Sequence, residues 1–195
     1  MARIPVKRTA INTIGKAFGE AANDPEKREA FRAGFPDSRQ FLWNRSPDKA
    51  QALANTLDNV EVADDLEAAV RAADIIVSAT ASTQPLIRGE WLRSGQHLNL
   101  IGAYRPDMRE ADDEALRRSR IHVDSFDTTV DHIGEPKIPF ASQSIQRGDI
   151  LADYYSLDQF QRGTVNDITL FKNGGGAHLD LMTARHILTA WTARA

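Results

Sequence analysis

Two apolar runs in the middle of the chain, Ile75–Ala79 and His97–Ile101, set what it can fold into. They lie in the stretch Ala73–Glu110, ADIIVSATASTQPLIRGEWLRSGQHLNLIGAYRPDMRE, and each ends in small or polar residues. Both are aliphatic and of strand length, and neither alternates cleanly between polar and apolar positions. That is the pattern of strands covered on both faces of a parallel sheet. Between them the only helical candidate is the short segment Arg88–Arg93. In open α/β sheets ligands bind beyond the carboxyl ends of the strands. Those ends are Thr80-Ala81-Ser82-Thr83 and Gly102-Ala103-Tyr104-Arg105, where any chemistry is expected.

The flanking sequence repeats the strand–helix alternation. Arg39–Asn44 reads as a strand, followed by Ser46-Pro47-Asp48, a serine cap with proline at the first helical position. The helix to Leu57 places Ala50, Leu53, Ala54 and Leu57 on one face. Val60–Val62 is a short strand, Asp64 or Asp65 caps a helix over Leu66–Ala72, Asp112–Arg118 is helical, and Arg120–Asp124 is a further strand. Strands separated by helices of this size predict βαβ units in an α/β, doubly wound, mainly parallel sheet. Asn23 or Asp24 caps a helix to about Ala33, whereas residues 1–22 show no sustained period and are expected to be an irregular leader. After Ser125 the chain loosens: Gly134-Glu135-Pro136, Pro139 and Gly148 break it into short pieces. A helix is expected over Ile150–Phe160, a strand over Ile168–Lys172, and a helix over Ala177–Arg194 with Leu181, Ala184, Ile187, Leu188 and Trp191 on one face.

Composition excludes several classes. A net charge of −3 over 195 residues argues against a nucleic-acid partner, since phosphate contacts need clustered Lys and Arg. Cysteine is absent, which excludes disulfides and thiolate metal sites and points to a reducing, cytoplasmic setting. No apolar run approaches the ~20 residues of a membrane span, and the start lacks the apolar region of a signal peptide. His97, His122, His132, His178 and His186 are dispersed without ligand spacing, so no metal site is expected. Asp107, Glu110, Asp112 and Asp113 read as a solvated helix entrance favouring the positive end of the dipole.

A dinucleotide fold opens strand, G-x-G-x-x-G, helix. Gly15 and Gly19 sit in the right neighbourhood, as G-K-A-F-G, which is not that fingerprint; they fit a phosphate loop or an irregular leader. Asn44-Arg45-Ser46 stands at the end of the second strand, where an NAD-selective site places an acid. An arginine and a hydroxyl there suit a 2′-phosphate, and the alternative is a solvated loop arginine. The hydroxyls of Thr80–Thr83 can bond a ribose or carboxamide, or satisfy their own loop.

The segments WNRSPDKAQALA, ADIIVSATASTQPLIRGEWL, LNLIGAYRPDMREADDEAL and ITLFKNGGGAHLDLMTA resemble the ornithine cyclodeaminase/mu-crystallin family, from about Asp24 to the C-terminus. The resemblance implies a Rossmann-like domain over residues 23–165 that carries NADP or NAD. It assigns residues 166–195 to a C-terminal helical remnant of a substrate-binding and dimerising domain. The cyclodeaminases place a catalytic aspartate in a Gly-Gly-Asp segment where this chain has Gly102-Ala103-Tyr104. The form G-A-x-R-P-D, Gly102 to Asp107, is similar to the ketimine-reductase and mu-crystallin branch. The implied function is NAD(P)-dependent oxidoreduction of a small imine or amino acid, as a homodimer. Tyr104 and Arg105 are the candidate catalytic residues, with Arg105 either steadying an anionic group or lying on the surface. Gly15, Gly19, Asn44, Arg45, Ser46, Thr80, Ala81, Ser82, Gly102 and Ala103 are the candidate cofactor contacts. Aligned back from Arg45, Gly19-Glu20-Ala21 meets the family's Gly-x-Gly and lacks its second glycine. The family's front region, with its substrate-carboxylate arginine and catalytic lysine, has no counterpart here, so impaired activity is expected. The alternatives are a catalytically silent nucleotide- or small-ligand-binding remnant that self-associates, and a dimerisation module built on the last helix.

Overall fold

Short aliphatic and β-branched runs, each closed by a cap or a turn, become the strands. The computed structural model describes residues 8–13, 38–57 and 60–192, and they build one eight-stranded sheet. The strands are β1 Arg8–Thr13, β2 Arg39–Trp43, β3 Val60–Val62, β4 Ile75–Ala79, β5 His97–Leu100, β6 Ser119–Val123, β7 Ile150–Ala152 and β8 Ile168–Lys172. Every neighbouring pair is parallel, in the order β3-β2-β1-β4-β5-β8-β6-β7. The chain leaves β1 toward β2 and β3, then returns to the other side of β1 to lay down β4. That reversal makes the sheet doubly wound and fixes the switch point at the carboxyl ends of β1 and β4.

The helices that cover it start on recognisable caps. α1, Pro47–Ala54, has proline in its first turn, where the missing N–H costs no bond. Asp65 caps α2, Leu66–Ala72, by accepting from Glu67 N at 2.9 Å. Asp112 caps α3, Asp113–Arg117, and the same Oδ1 also takes the N–H of Gly89 at 2.8 Å. α4 is Gly134–Ala141 and α5 is Ala177–Thr192. The larger core packs Ile76, Leu98, Leu100, Leu170, Ile121 and Val123 against Val70, Leu92, Ala115 and Leu116. A smaller one joins Leu42 to Ala50 and Ala54 of α1.

The structure departs from the sequence reading in five places. Arg8–Thr13, expected in an irregular leader, is β1, paired on both sides. Its sequence RTAINT has no apolar run; the β-branched Thr9, Ile11 and Thr13 at alternate positions are its strand signal. Ile168–Lys172 lies inside the sheet between β5 and β6, so a boundary at residue 166 would cut the sheet. Consequently 39–43 and 75–79 are separated by β1, and 97–100 and 119–123 by β8. The helix expected over Ile150–Phe160 is instead β7 followed by 3-10 turns over Tyr154–Gln159, broken at Ser156. The fourth departure is α4 itself: Pro136 falls in its first turn, where no donor is needed, and the helix carries Pro139 inside it. The crossover segment Arg88–Arg93 holds one 3-10 turn, Gly89–Trp91. The helix expected over 24–33 and both candidate glycines, Gly15 and Gly19, lie outside the described residues.

Candidate functional site

The sheet register draws the candidate residues to one edge. Trp43, Asn12, Ser78, Leu100, Lys172 and Val123 form a continuous row from β2 across to β6. Asn44, Ala79, Ile101, Asn173 and Asp124 are the next residues along those strands. Asn44–Ser46, Thr80–Ser82 and Gly102–Arg105 therefore all belong to the carboxyl edge, on either side of the β1/β4 switch point.

A buried polar network holds this edge. Glu110 is fully buried, and its Oε1 accepts from Ser78 Oγ at 2.7 Å, Thr80 N at 2.6 Å and Thr80 Oγ1 at 3.0 Å. Its Oε2 accepts from Gly102 N at 2.7 Å and Ala103 N at 3.3 Å. Its own carbonyl takes the N–H groups of Leu86 and Ile87 at 2.8 and 2.9 Å. Behind it, Glu135 accepts from Glu110 N at 2.7 Å and Ala111 N at 2.9 Å. Burial pushes the Glu135 carboxyl up to about 7, against the pull of Lys172. The Lys172 ammonium donates to Leu100 O at 3.2 Å and Asn173 O at 2.8 Å. Burial lowers its pKa, and Glu110, Glu135 and Asp124 oppose that shift. Asp124 then ties the glycine-rich turn to β6, accepting from Gly174 N at 2.9 Å and from Ser125 N at 2.9 Å. Reading Glu110 as part of a solvated helix entrance was therefore wrong: the fold buries it and turns five donors onto its carboxylate. Asp107 alone of that acidic run is solvated in the expected way, while Asp112 caps α3 and Asp113 accepts from Arg109 Nη2 at 2.7 Å.

The individual candidates divide into occupied and open groups. Thr80 spends its amide and hydroxyl protons on Glu110, and Ser82 Oγ donates to Gln84 O at 2.6 Å, so the loop-satisfying role is realised for both. Ala81 is exposed beside them. At Gly102 a Cβ would stand 2.0 Å from Thr80 O and 2.1 Å from Thr80 N, so the close approach of the two strand ends requires glycine. Ala103 is buried with Met108 and Ile133. Tyr104 is 55% exposed. Arg105 pairs in bidentate fashion with Asp107, both contacts at 3.0 Å, which raises the guanidinium pKa and lowers that of the carboxyl. At the end of β2, Asn44 Oδ1 accepts from Ser46 N at 2.9 Å, while its Nδ2 is buried with no partner. Arg45 is exposed, and among the described residues no ion pair involves it. These open groups suit the ribose and phosphate acceptors of a nucleotide. Among the described residues no cluster of His, Asp and Glu could hold a metal.

A second concavity, a cleft of ≈ 520 Å³, lies on one face of the sheet toward its amino edge, lined by Ile75, His97, His122, Tyr154, Phe160 and Phe171 among others. Burial holds His97 down to about 4, with Arg162 and His122 adding to the effect, and its Nδ1 lies 2.8 Å from Thr169 Oγ1. The His122 ring lies 4.7 Å from that of Phe160, tilted by 37°. The cleft is remote in the fold from the switch point and is lined by none of the candidate residues.

Comparison with known proteins bears on the family and the fold. Residues 17–194 match the ornithine cyclodeaminase/mu-crystallin family. The chain is 47% identical over 166 residues to the Δ1-pyrroline-2-carboxylate reductase of Paracoccus denitrificans, covering 81% of this chain and 52% of that protein. It is 31% identical over 166 residues to the ketimine reductase mu-crystallin of Mus musculus, covering 85% and 51%. The Thermococcus litoralis Δ1-pyrroline-2-carboxylate reductase, solved in complex with NADH and L-proline, superposes with a TM-score of 0.82 at 26% identity, over 95% of this chain and 58% of that one. The chain thus spans about half the length of the curated relatives it matches. It belongs to the ornithine cyclodeaminase/mu-crystallin family.

Proposed function

We propose that this chain forms the dinucleotide-binding part of an NAD(P)-dependent reductase acting on a small cyclic imine or its amino-acid product. The observation that carries this reading is the open end of β2: a buried, unpartnered Asn44 Nδ2 and an exposed Arg45, with no carboxylate in the Asn44-Arg45-Ser46 turn. Such a turn offers donors to a ribose and favours a 2′-phosphate, hence NADPH over NADH. The substrate class follows the named activities of the relatives, pyrroline-carboxylate and ketimine reduction.

In this reading the bound dinucleotide supplies the hydride, and the protein orients it. Gly102 and Ala103 line the tip of β5, and the Glu110 network holds that tip against Thr80 before any ligand arrives. Tyr104 and Arg105 stand at the exposed lip; Arg105 meets a substrate carboxylate by exchanging Asp107 for it. Substrate positioning can account for ~7–11 kcal/mol of barrier lowering. With the family's substrate-binding arginine and lysine outside this sequence, turnover by residues 1–195 is expected to be weak.

A second reading, a silent nucleotide-binding protein that self-associates as a homodimer, is favoured by one observation: Leu181, Ile187, Leu188 and Trp191 of α5 are 54–75% exposed. Titration of the protein with NADPH and NADH, followed by assay of Δ1-pyrroline-2-carboxylate reduction, separates the two. Binding with turnover supports the reductase, binding without it the second reading, and no binding removes both.

A further inference from the structure

Glu110 meets more of the carboxyl edge than any other described side chain there. Its N–H is held by Glu135, its carbonyl holds Leu86 and Ile87, and its carboxylate collects five donors from the ends of β4 and β5. A carboxylate is an acceptor on every lone pair, so each group facing it must turn its proton inward. Thr80 has one hydroxyl proton and one amide proton, and both point to Glu110. That hydroxyl also accepts from Ser82 N at 3.4 Å, so what remains on it is a single acceptor position. The amides of Gly102 and Ala103 are spent in the same way.

We propose that Glu110 is a positioning residue of the crevice, which makes the floor between β4 and β5 a hydrogen-bond acceptor and so selects a donor group on the ligand at that place. This rests on the dinucleotide reading above and adds to it a polarity along the crevice. The β2 end, with Asn44 Nδ2 and Arg45, offers donors and a positive charge to phosphate. The β4/β5 end offers acceptors above a buried negative charge, which disfavours an anion and favours the NH₂ of a carboxamide. The two strand ends tied by the Glu110 carboxylate would be free to turn an N–H outward without it, and the distinction between the two ends of the crevice would fade.

The test crosses a protein change with a ligand change. NADH carries a carboxamide; reduced 3-acetylpyridine adenine dinucleotide replaces its NH₂ with a methyl group and keeps everything else. Fluorescence titration of the 195-residue chain is expected to give NADH about tenfold tighter than the analogue, the scale of one hydrogen bond to a polarised acceptor. In Glu110→Gln one amide hydrogen must face a backbone N–H, the floor reorganises, and the ratio is expected to fall to about twofold. Thr80→Val, which deletes the acceptor and leaves Glu110 in place, should lower the ratio in the same direction, and it carries the test if thermal melting shows Glu110→Gln unfolded. Equal weakening of both ligands, with the ratio preserved in the folded variants, would mean that Glu110 serves stability alone and overturns the proposal. A wild-type ratio near one also overturns it. Failure of the unmodified chain to bind either dinucleotide instead removes the underlying reading of the crevice.

Discussion

The carboxyl edge of the sheet and the C-terminal helix solve opposite problems with opposite success. At the edge, Glu110, Glu135, Asp124 and Lys172 are buried ionisable side chains, each hydrogen-bonded to backbone groups. Along α5, residues 181–192 are exposed throughout, including Met182 at 66% and Trp191 at 75%. Buried charge is costly unless it is compensated within the chain, and these four groups are compensated as they stand. An apolar helix face is costly only while water touches it, and a large side chain gains roughly 1.5–3 kcal/mol on being covered. The edge gains little from further burial, whereas the helix face would gain from any surface that covered it.

The largest expected effect tests the first half of this contrast. Glu110→Leu orphans the five donors gathered by the carboxylate, and loss of one partner of a buried charged network costs about 3–5 kcal/mol. Urea unfolding should show a drop of that size; a loss below ~1 kcal/mol would mean that the edge is not held by its polar network. Next comes the open end of β2. Arg45→Ala should erase a preference for NADPH over NADH of ~1.5–3 kcal/mol, read from paired titrations. Equal affinities in the unmodified protein would refute that assignment whatever the variant does.

A third effect sharpens the cost of the network. The Glu135 carboxyl is raised from 4.5 to about 7 on folding. In that window the folded chain holds the proton more tightly than the unfolded chain does. Its contribution to stability is therefore fully present below 4.5 and declines as pH rises through about 7, by on the order of 3 kcal/mol. Glu135→Gln should flatten that fall in melting temperature between pH 5 and 8; an unchanged pH profile would locate the titrating group elsewhere. His97, held down to about 4, works in the reverse direction: it favours the folded state above 6.5 and loses that contribution as pH falls toward 4. The smallest effect on folding belongs to α5. Leu188→Glu changes an exposed position and should move monomer stability by no more than ~0.5 kcal/mol, while shifting a dimer toward monomer in sedimentation. A wild-type monomer at high concentration would break the comparison from the helix side.

Much of this architecture was legible. The aliphatic runs at Ile75–Ala79, His97–Leu100 and Ile168–Lys172 announce buried strands, and Pro47 and Asp65 mark helix starts within a residue or two. The order of the strands was not legible, because nothing in ITLFK says that it enters between β5 and β6 rather than beyond them. β1 was missed because a central strand spelled RTAINT lacks the apolar run by which such strands are recognised. At the candidate site, sequence pointed to the loops and passed over their support. Glu110 looks like one acid among four; it differs from Asp107 only in what the fold places around it. The same limit explains Thr80 and Ser82, whose hydroxyls read equally well as ligand contacts and as the loop's own bonds.

The position of β8 has a consequence in time. A ribosome releases this sheet from its first strand onward, and β4 can pair with β1 and β5 as soon as each emerges. β6 and β7 then emerge without a sheet to join, since the strand that lies between them and β5 is Ile168–Lys172. Until that segment is made, β5 and β6 each expose an unpaired edge of the kind that templates intermolecular association. Closure of the sheet is thus a late event in synthesis, and a nascent chain stalled before residue 168 is expected to be the aggregation-prone species.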